Sequence, residues 1–387
     1  MLITGLGVIS AAGINLAETL VSFEGRKRNA GPVSLFETPL RYPVFEVREI
    51  PRRFYLEGQR TLSLALCAVD EALEGAHLKD ELSNFRVGVC MGTTVASQLN
   101  DIEFYKSYRT TGTASMVAVD RYVKGNLAQF VSRKIRATGP SLTVVNACSS
   151  GTDAIGVAFS WLNNGLCDIA IAGGADELNR IPLCGFGSLG IVSSDLCKPF
   201  DRGRKGLNLG EGAGVLVIET KDSAQKRRRT SDFYLVGYGS ASDAYHLTAP
   251  RPDGAGLESS INKALTESGI KPHEVSFVNA HGTGTLENDL VEGMVLGKVF
   301  GADLKVLSTK GFTGHALGAA GGLEAVFTVA GLREGWIPVS IGFEHKDETI
   351  PVVPVRKRTY INGHHAVSTS LAFGGNNAAL VFRRDLR

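Results

Sequence analysis

The chain has 387 residues, 43% apolar and 21% charged, a globular composition that excludes a disordered chain. Basic and acidic residues nearly balance, 41 against 39, and the net charge of +2 excludes nucleic acid as the main partner. No run approaches the ~20 apolar residues of a membrane span, the first residues carry no basic leader of a secretory signal, and six cysteines without a CxxC fit free thiols in a reducing cytoplasm.

In chain order, apolar strand-like runs alternate with helical windows, which predicts an α/β protein with largely buried strands. The start, Met1-Leu-Ile-Thr-Gly-Leu-Gly-Val-Ile, is strand-like, and another such run precedes Val95. Ser141–Ala147 reads as a strand, Asp153–Leu162 as a helix, and Asp168–Ala172 and Gly214–Thr220 as strands. The basic run Lys226-Arg227-Arg228-Arg229 reads as a solvated linker or helix end. Beyond it the grammar repeats: strand Phe233–Tyr238, helix Gly256–Ser268, strand Val275–Ala280, helix Leu290–Phe300, short strand Val306–Ser308, helix Leu317–Glu334, then strands His365–Leu371 and Ala378–Arg383. Both halves close on a strand, a glycine knot and a final apolar strand. This suggests a duplication, with halves 1–229 and 230–387. Glycine is abundant, 46 residues, as expected where the chain turns tightly or backbones approach closely.

Three places put reactive residues directly after a strand, where open α/β sheets build their sites. In Asn146-Ala147-Cys148-Ser149-Ser150-Gly151, Cys148 precedes a helix whose N-terminal dipole stabilises a thiolate, and its neighbours are small. A nucleophile and a buried structural cysteine both remain open on this pattern alone. In Asn279-Ala280-His281-Gly282-Thr283-Gly284-Thr285, His281 enters a glycine-rich loop, with Asp289 and Glu292 following on one helical face. In Ser308-Thr309-Lys310-Gly311-Phe312-Thr313-Gly314-His315, Lys310 and His315 flank a third turn. Gly185-Phe-Gly-Ser-Leu-Gly matches GxGxxG, but Pro182 breaks any strand before it, which argues against a dinucleotide site. There is no P-loop and no zinc-ligand spacing.

These residues lie in motifs that resemble the elongating β-ketoacyl-acyl-carrier-protein synthases, the condensing enzymes of fatty acid and type II polyketide synthesis. The resemblance spans nearly the whole chain: TGLGVIS, NACSSG, PFDRGRKGLNLGEGAG, SDAYHLTAPRPDGAG, NAHGTGT, STKGFTGHALGAAGG and FGGNN, in that order. It implies a thiolase fold, with two pseudo-symmetric α/β halves, layered mixed sheets and buried helices. It also implies a cytoplasmic 3-oxoacyl-acyl-carrier-protein synthase performing decarboxylative Claisen condensation, in fatty acid or specialised polyketide or polyene synthesis. The implied partners are acyl and malonyl carrier protein and a second subunit, in a homodimer or a heterodimer with a paralogue. No cofactor and no catalytic metal are implied, only a structural cation near Asn279, Glu324 and Ser370.

By the same resemblance Cys148 is the acyl-accepting nucleophile, and His281 and His315 complete a Cys-His-His triad. Lys310 pairs with Glu292. The backbone N–H groups of Cys148 and Phe373 form an oxyanion hole, with Phe373 also the gate. Val95 limits the acyl tunnel, and Arg60 meets the carrier protein. The gate reads Ser370-Leu371-Ala372-Phe373-Gly374-Gly375, with Leu371-Ala372 where the family usually has Phe-Gly, and the stretch between Ser97 and Ser141 is short for the family. A degradative thiolase needs a second, C-terminal cysteine, and none follows Cys197. An initiating condensing enzyme carries Asn in place of His315, and a catalytically silent chain-length partner subunit lacks the nucleophile.

Overall fold

The computed structural model describes residues 1–94 and 102–385. Its strands are β1 (Leu2–Ser10), β2 (Val87–Gly92), β3 (Ser141–Val144), β4 (Ile169–Asp176), β5 (Gly212–Glu219), β6 (Phe233–Ser242), β7 (Val275–Asn279), β8 (Val306–Leu307), β9 (Trp336–Ile337), β10 (Thr359–Tyr360), β11 (His365–Ala372) and β12 (Asn376–Arg384). Ten of them run in the order β3-β2-β4-β5-β1-β6-β12-β11-β7-β8, and β9 and β10 form a separate ribbon.

The duplication is visible in strand order. In the first half the chain's first strand pairs antiparallel with its fifth, the fifth antiparallel with the fourth, and the fourth and third run parallel to the second. In the second half β6, β7, β8, β11 and β12 repeat this pattern of neighbours and directions. The halves join where Leu2 of β1 pairs with Tyr234 of β6.

Side chains alternate along the central strands and feed two different cores. Ile169, Ile171, Val215 and Val217 face helix Arg60–Gly75. Their neighbours Ala170, Ala172, Leu216 and Ile218 face helices Ser150–Asn163 and Ala320–Glu334. On the other side β7, β11 and β12 do the same, with Val278, Val367 and Val381 turned toward helices Ala255–Ser268 and Leu286–Phe300. Helices Ser150–Asn163 and Ala320–Glu334 therefore lie between the sheets of the two halves.

Every residue of Ala320–Leu332 is buried. Such a helix is held by packing on all sides rather than by intrinsic propensity. Its approach is unusually close: a Cβ on Gly214 of β5 would lie 2.3 Å from the Gly322 carbonyl carbon, and one on Gly151 would lie 2.7 Å from the Gly322 nitrogen. Part of the glycine excess thus serves backbone contact in the middle layer.

The basic run is a helix end, where helix Lys221–Lys226 closes and Lys226 and Arg228 are exposed, and one member departs from a solvated reading. Arg227 is buried, and its guanidinium pairs with Glu219 at 2.8 Å and donates to the Ala76 carbonyl at 2.6 Å. Gly185–Ser188 finish a helix, Arg180–Ser188, that holds Pro182 in its first turn, where its missing N–H costs nothing. Among the described residues, no helix is long and apolar enough to cross a membrane.

Candidate active site

The nucleophile candidate sits in a strained turn. β3 stops at Val144 and the next helix begins at Ser150. Between them Ala147 takes φ +50°, a left-handed conformation that side chains disfavour by roughly 1–2 kcal/mol. Local bonds hold it: the Ser150 hydroxyl lies 2.6 Å from the Ala147 carbonyl and accepts from Asn146 N–H at 2.8 Å. The turn aims Cys148 Sγ at His315 Nε2, 3.1 Å away. Cys148 is 4% exposed.

His281 arrives from the end of β7 and His315 from the loop before the central helix. Their rings meet edge to face with centroids 5.2 Å apart. The loop after His281 needs its glycine: Gly282 has φ +40°, and a Cβ there would lie 2.6 Å from Ser308 Cβ. Burial pushes both imidazoles well below the usual histidine range, helped by the charge of Lys310. Both are neutral near pH 7. Lys310, itself buried, donates to the His281 carbonyl at 2.6 Å and to His281 Nδ1 at 3.0 Å. A lysine ammonium only donates, so Nδ1 is the acceptor and the His281 proton sits on Nε2.

The acidic partner of Lys310 is Glu324, not Glu292. Lys310 Nζ makes a short ion pair with Glu324 Oε1, one turn into the central helix. Burial still pushes the Glu324 carboxyl up to about 7, outweighing the lysine's pull. Glu292 instead braces the histidine loop. It accepts from the N–H groups of His281 at 2.8 Å and Gly282 at 2.7 Å, and from the Thr369 hydroxyl at 2.8 Å. Asp289, one turn earlier, accepts from Phe200 N–H at 2.6 Å and Gly284 N–H at 3.1 Å. The Asp289–Glu292 spacing therefore marks a backbone brace, because loop amides need acceptors more than Lys310 needs a second anion. A lone glutamate within LGAAGGLEAVFTVAGL was the available signal for Glu324, since a buried charge requires a partner.

Phe373 N–H hydrogen-bonds the Cys148 sulfur. The Phe373 ring stacks on Phe186 at 5.3 Å, and Phe186 in turn meets the His315 ring edge-on at 6.3 Å. Phe186, on helix Arg180–Ser188, is a site residue that the sequence reading did not single out; it lies within the rejected GxGxxG match. The Phe373 loop is tied to the SDAYHLTAP segment: Asp243 N–H donates to the Gly375 carbonyl at 2.8 Å, and Gly374 N–H to the Leu247 carbonyl at 2.8 Å. Cys148, His281, His315, Phe186 and Phe373 all line one cavity of about 400 Å³.

Other expectations move. The helix N-terminus does not dominate the thiol: burial pushes Cys148 up to about 12 against the opposing pull of Lys310 and the Phe373 N–H. Arg60 is partly exposed and tied into an ion pair. It forks onto the buried Glu211, with Nε 2.8 Å from Oε2, and donates to the Val47 carbonyl at 2.7 Å. Val95 lies outside the described residues. Asn279 Oδ1 and Glu324 Oε2 are buried without a hydrogen-bond partner, and Asn279 Nδ2 donates to the Glu324 carbonyl at 3.2 Å. With Ser370, whose hydroxyl lies 2.7 Å from Thr152 Oγ1, they fit the oxygen donors of a structural cation.

Comparison with known proteins agrees with this geometry. Residues 46–224 match the β-ketoacyl synthase N-terminal domain and residues 233–344 the β-ketoacyl synthase C-terminal domain. A 3-oxoacyl-(acyl-carrier-protein) synthase 2 from Synechocystis sp. is 32% identical, over 99% of this chain and 98% of that protein. The ishigamide ketosynthase/chain length factor superposes with a TM-score of 0.93 at 30% identity, covering 100% of this chain and 99% of that one. A type II polyketide acyl-carrier protein in complex with its ketosynthase bound to the hexaketide gives a TM-score of 0.91 at 25% identity, covering 99% of each chain. With a strained cysteine turn facing two buried histidines inside a duplicated α/β fold, the chain belongs to the β-ketoacyl synthase family.

Proposed function

We propose that this chain is a 3-oxoacyl-acyl-carrier-protein synthase that loads an acyl group onto Cys148 and condenses it with malonyl carrier protein. The observation that carries this reading is the contact of 3.1 Å between Cys148 Sγ and His315 Nε2, beside a His281 whose proton is fixed on Nε2.

Neutral His315 takes the thiol proton as the sulfur attacks the incoming thioester. The acyl–sulfur bond to the carrier breaks and the carrier leaves as its thiolate, which takes a proton from water, so His315 keeps the proton it took from Cys148. Malonyl carrier protein then enters. As carbon dioxide departs, the thioester oxygen gains negative charge, and His281 Nε2–H donates to it, with protonated His315 as the second donor. One such preorganised donor contributes about 3–4 kcal/mol. The enolate carbon attacks the Cys148 thioester, whose oxygen is held by backbone N–H groups of Cys148 and Phe373, and the cysteine sulfur leaves, taking its proton back from His315. Lys310 and Glu324 organise charge around His281 without reacting. A cation held by Asn279, Glu324 and Ser370 would take the Glu324 oxygen, Oε2, that Lys310 leaves without a partner.

The same proposal places the chain in the cytoplasm with acyl carrier protein as its partner and a second subunit beside it, identical or paralogous. The repeated strand order supports a division into halves 1–229 and 230–387. The relatives span fatty-acid-type synthases and a polyketide ketosynthase, so both substrate families enter the test. The protein is incubated with acyl carrier proteins of graded chain length and malonyl carrier protein, and masses are read. The expected result is an acyl adduct on Cys148 and a product extended by two carbons. No adduct with any acyl chain would overturn the proposal in favour of a silent chain-length partner.

A further inference from the structure

One buried carboxylate near the nucleophile has no part in the mechanism above. Asp153 lies in the first turn of helix Ser150–Asn163 and is 4% exposed. Its Oδ2 accepts from Asn146 Nδ2 at 2.8 Å and lies 2.8 Å from the Ser149 hydroxyl. Asn146 and Ser149 are the residues on either side of Ala147-Cys148. The other oxygen, Oδ1, accepts from the Tyr238 hydroxyl at 2.8 Å. Tyr238 belongs to β6, in the other half of the molecule. Asn146 Oδ1 also faces Asn376 Nδ2 at 3.4 Å, at the end of the Phe373 loop.

We infer that Asp153 is a positioning residue, which clamps both ends of the strained nucleophile turn and, through Tyr238, fixes it against the half that carries the histidines. Three features support this. Ala147 would relax from φ +50° if nothing held its flanks. Oδ2 accepts from both flanks, and a carboxylate still has a second acceptor, Oδ1, for the Tyr238 hydroxyl, where an amide would present an NH₂ donor. The Tyr238 ring fills the space over Gly156, where an added Cβ would lie 2.4 Å from it, so the hydroxyl is held at its partner. The cysteine and the histidines come from different halves, and a pair that must meet at 3.1 Å needs a tie between them.

The inference rests on Cys148 being the acyl acceptor, and the experiment separates the two. Asp153→Ala, Tyr238→Phe and the unmodified protein are compared on three readouts: acyl transfer from acyl carrier protein to Cys148, carbon dioxide release from malonyl carrier protein, and the rate of Cys148 alkylation by iodoacetamide, read on the Cys148 peptide. Misplacement by about 1 Å costs up to ~100-fold in rate. Asp153→Ala is expected to slow acyl transfer by roughly 10–100-fold, with carbon dioxide release and carrier-protein KM little changed and alkylation altered. Tyr238→Phe keeps the ring, folds, and is expected to slow acyl transfer several-fold. Equal losses in acyl transfer and carbon dioxide release, or unchanged acyl transfer in both variants, would overturn the positioning role. If the unmodified protein itself takes no acyl group, the functional proposal fails; unchanged alkylation in both variants would then overturn the positioning role as well.

Discussion

Lys310 Nζ lies 3.0 Å from His281 Nδ1 and makes a short ion pair with Glu324. One side chain therefore sets the tautomer of a proposed donor and neutralises a buried carboxylate. Lys310→Met should remove both effects. Carbon dioxide release from malonyl carrier protein should fall by roughly 100-fold, the loss typical of a misaligned donor. Stability should fall by on the order of 3 kcal/mol, because a buried carboxylate loses its partner. Lys310→Met combined with Glu324→Gln should recover much of the melting temperature and none of the decarboxylation. Recovery of both would show that Lys310 acts only on stability.

Glu292 predicts a pH dependence. Burial pushes its carboxyl up from 4.5 to about 7. The folded protein therefore holds that proton more tightly than the unfolded chain does. The resulting stabilisation is full below about pH 4.5 and is lost as pH rises through about 7. Glu292→Gln carries no such proton. Its melting temperature should be lower overall, since one loop N–H then faces an amide NH₂, but the decline between pH 5 and 7 should be shallower than in the unmodified protein. Parallel curves for the two proteins would place the titration elsewhere.

The reactive residues were legible because each carries a local signal. Cys148, His281, Lys310 and His315 all follow an apolar strand and sit among small residues. The repeat was legible for the same reason, in the matched endings of the halves. Partners were harder to read. Glu292 and Glu324 lie 11 and 43 residues from His281, and only the fold decides which reaches Lys310 and which reaches the loop amides. Phe186 reaches the site from a helix packed alongside it, and Asp153 through a network whose Tyr238 member is 85 residues away. Helices Ile102–Thr111, Val117–Lys124 and Leu127–Ile135 were not read from the sequence at all. The first contributes no residue to the buried cores, so the apolar stripe that would announce it is weak.

Arg60 shows how an exposed-looking charge acquires a structural role. Its guanidinium side chain is 23% exposed, while the Glu211 it pairs with is fully buried. Glu211 also accepts from Val47 N–H at 2.8 Å and Leu178 N–H at 3.1 Å, so the pair joins three segments. Arg60→Ala should lower stability by on the order of 3 kcal/mol and leave KM for the carrier protein unchanged well below the melting temperature. A raised KM at unchanged stability would return Arg60 to the docking surface.

The two histidines should fail differently. Both are neutral and buried, but only His315 touches the sulfur, at 3.1 Å. A cysteine stabilised by its helix alone would load acyl groups without His315. Here burial holds the thiol near 12, so its thiolate is scarce at neutral pH and a base must take its proton. His315→Ala should therefore lose acyl loading and decarboxylation together, each by roughly 100-fold or more. His281→Ala lacks only the donor fixed by Lys310, so it should lose decarboxylation while loading falls several-fold at most. Cys148→Ala completes the set: it cannot load or condense, yet it should still release carbon dioxide from malonyl carrier protein, because the His281 Nε2–H donor remains. Loading by acyl transfer and carbon dioxide release would be measured separately in each folded variant. If His315→Ala loads at the unmodified rate, the helix N-terminus is sufficient to activate Cys148, and the contact between the two side chains serves the decarboxylation step alone.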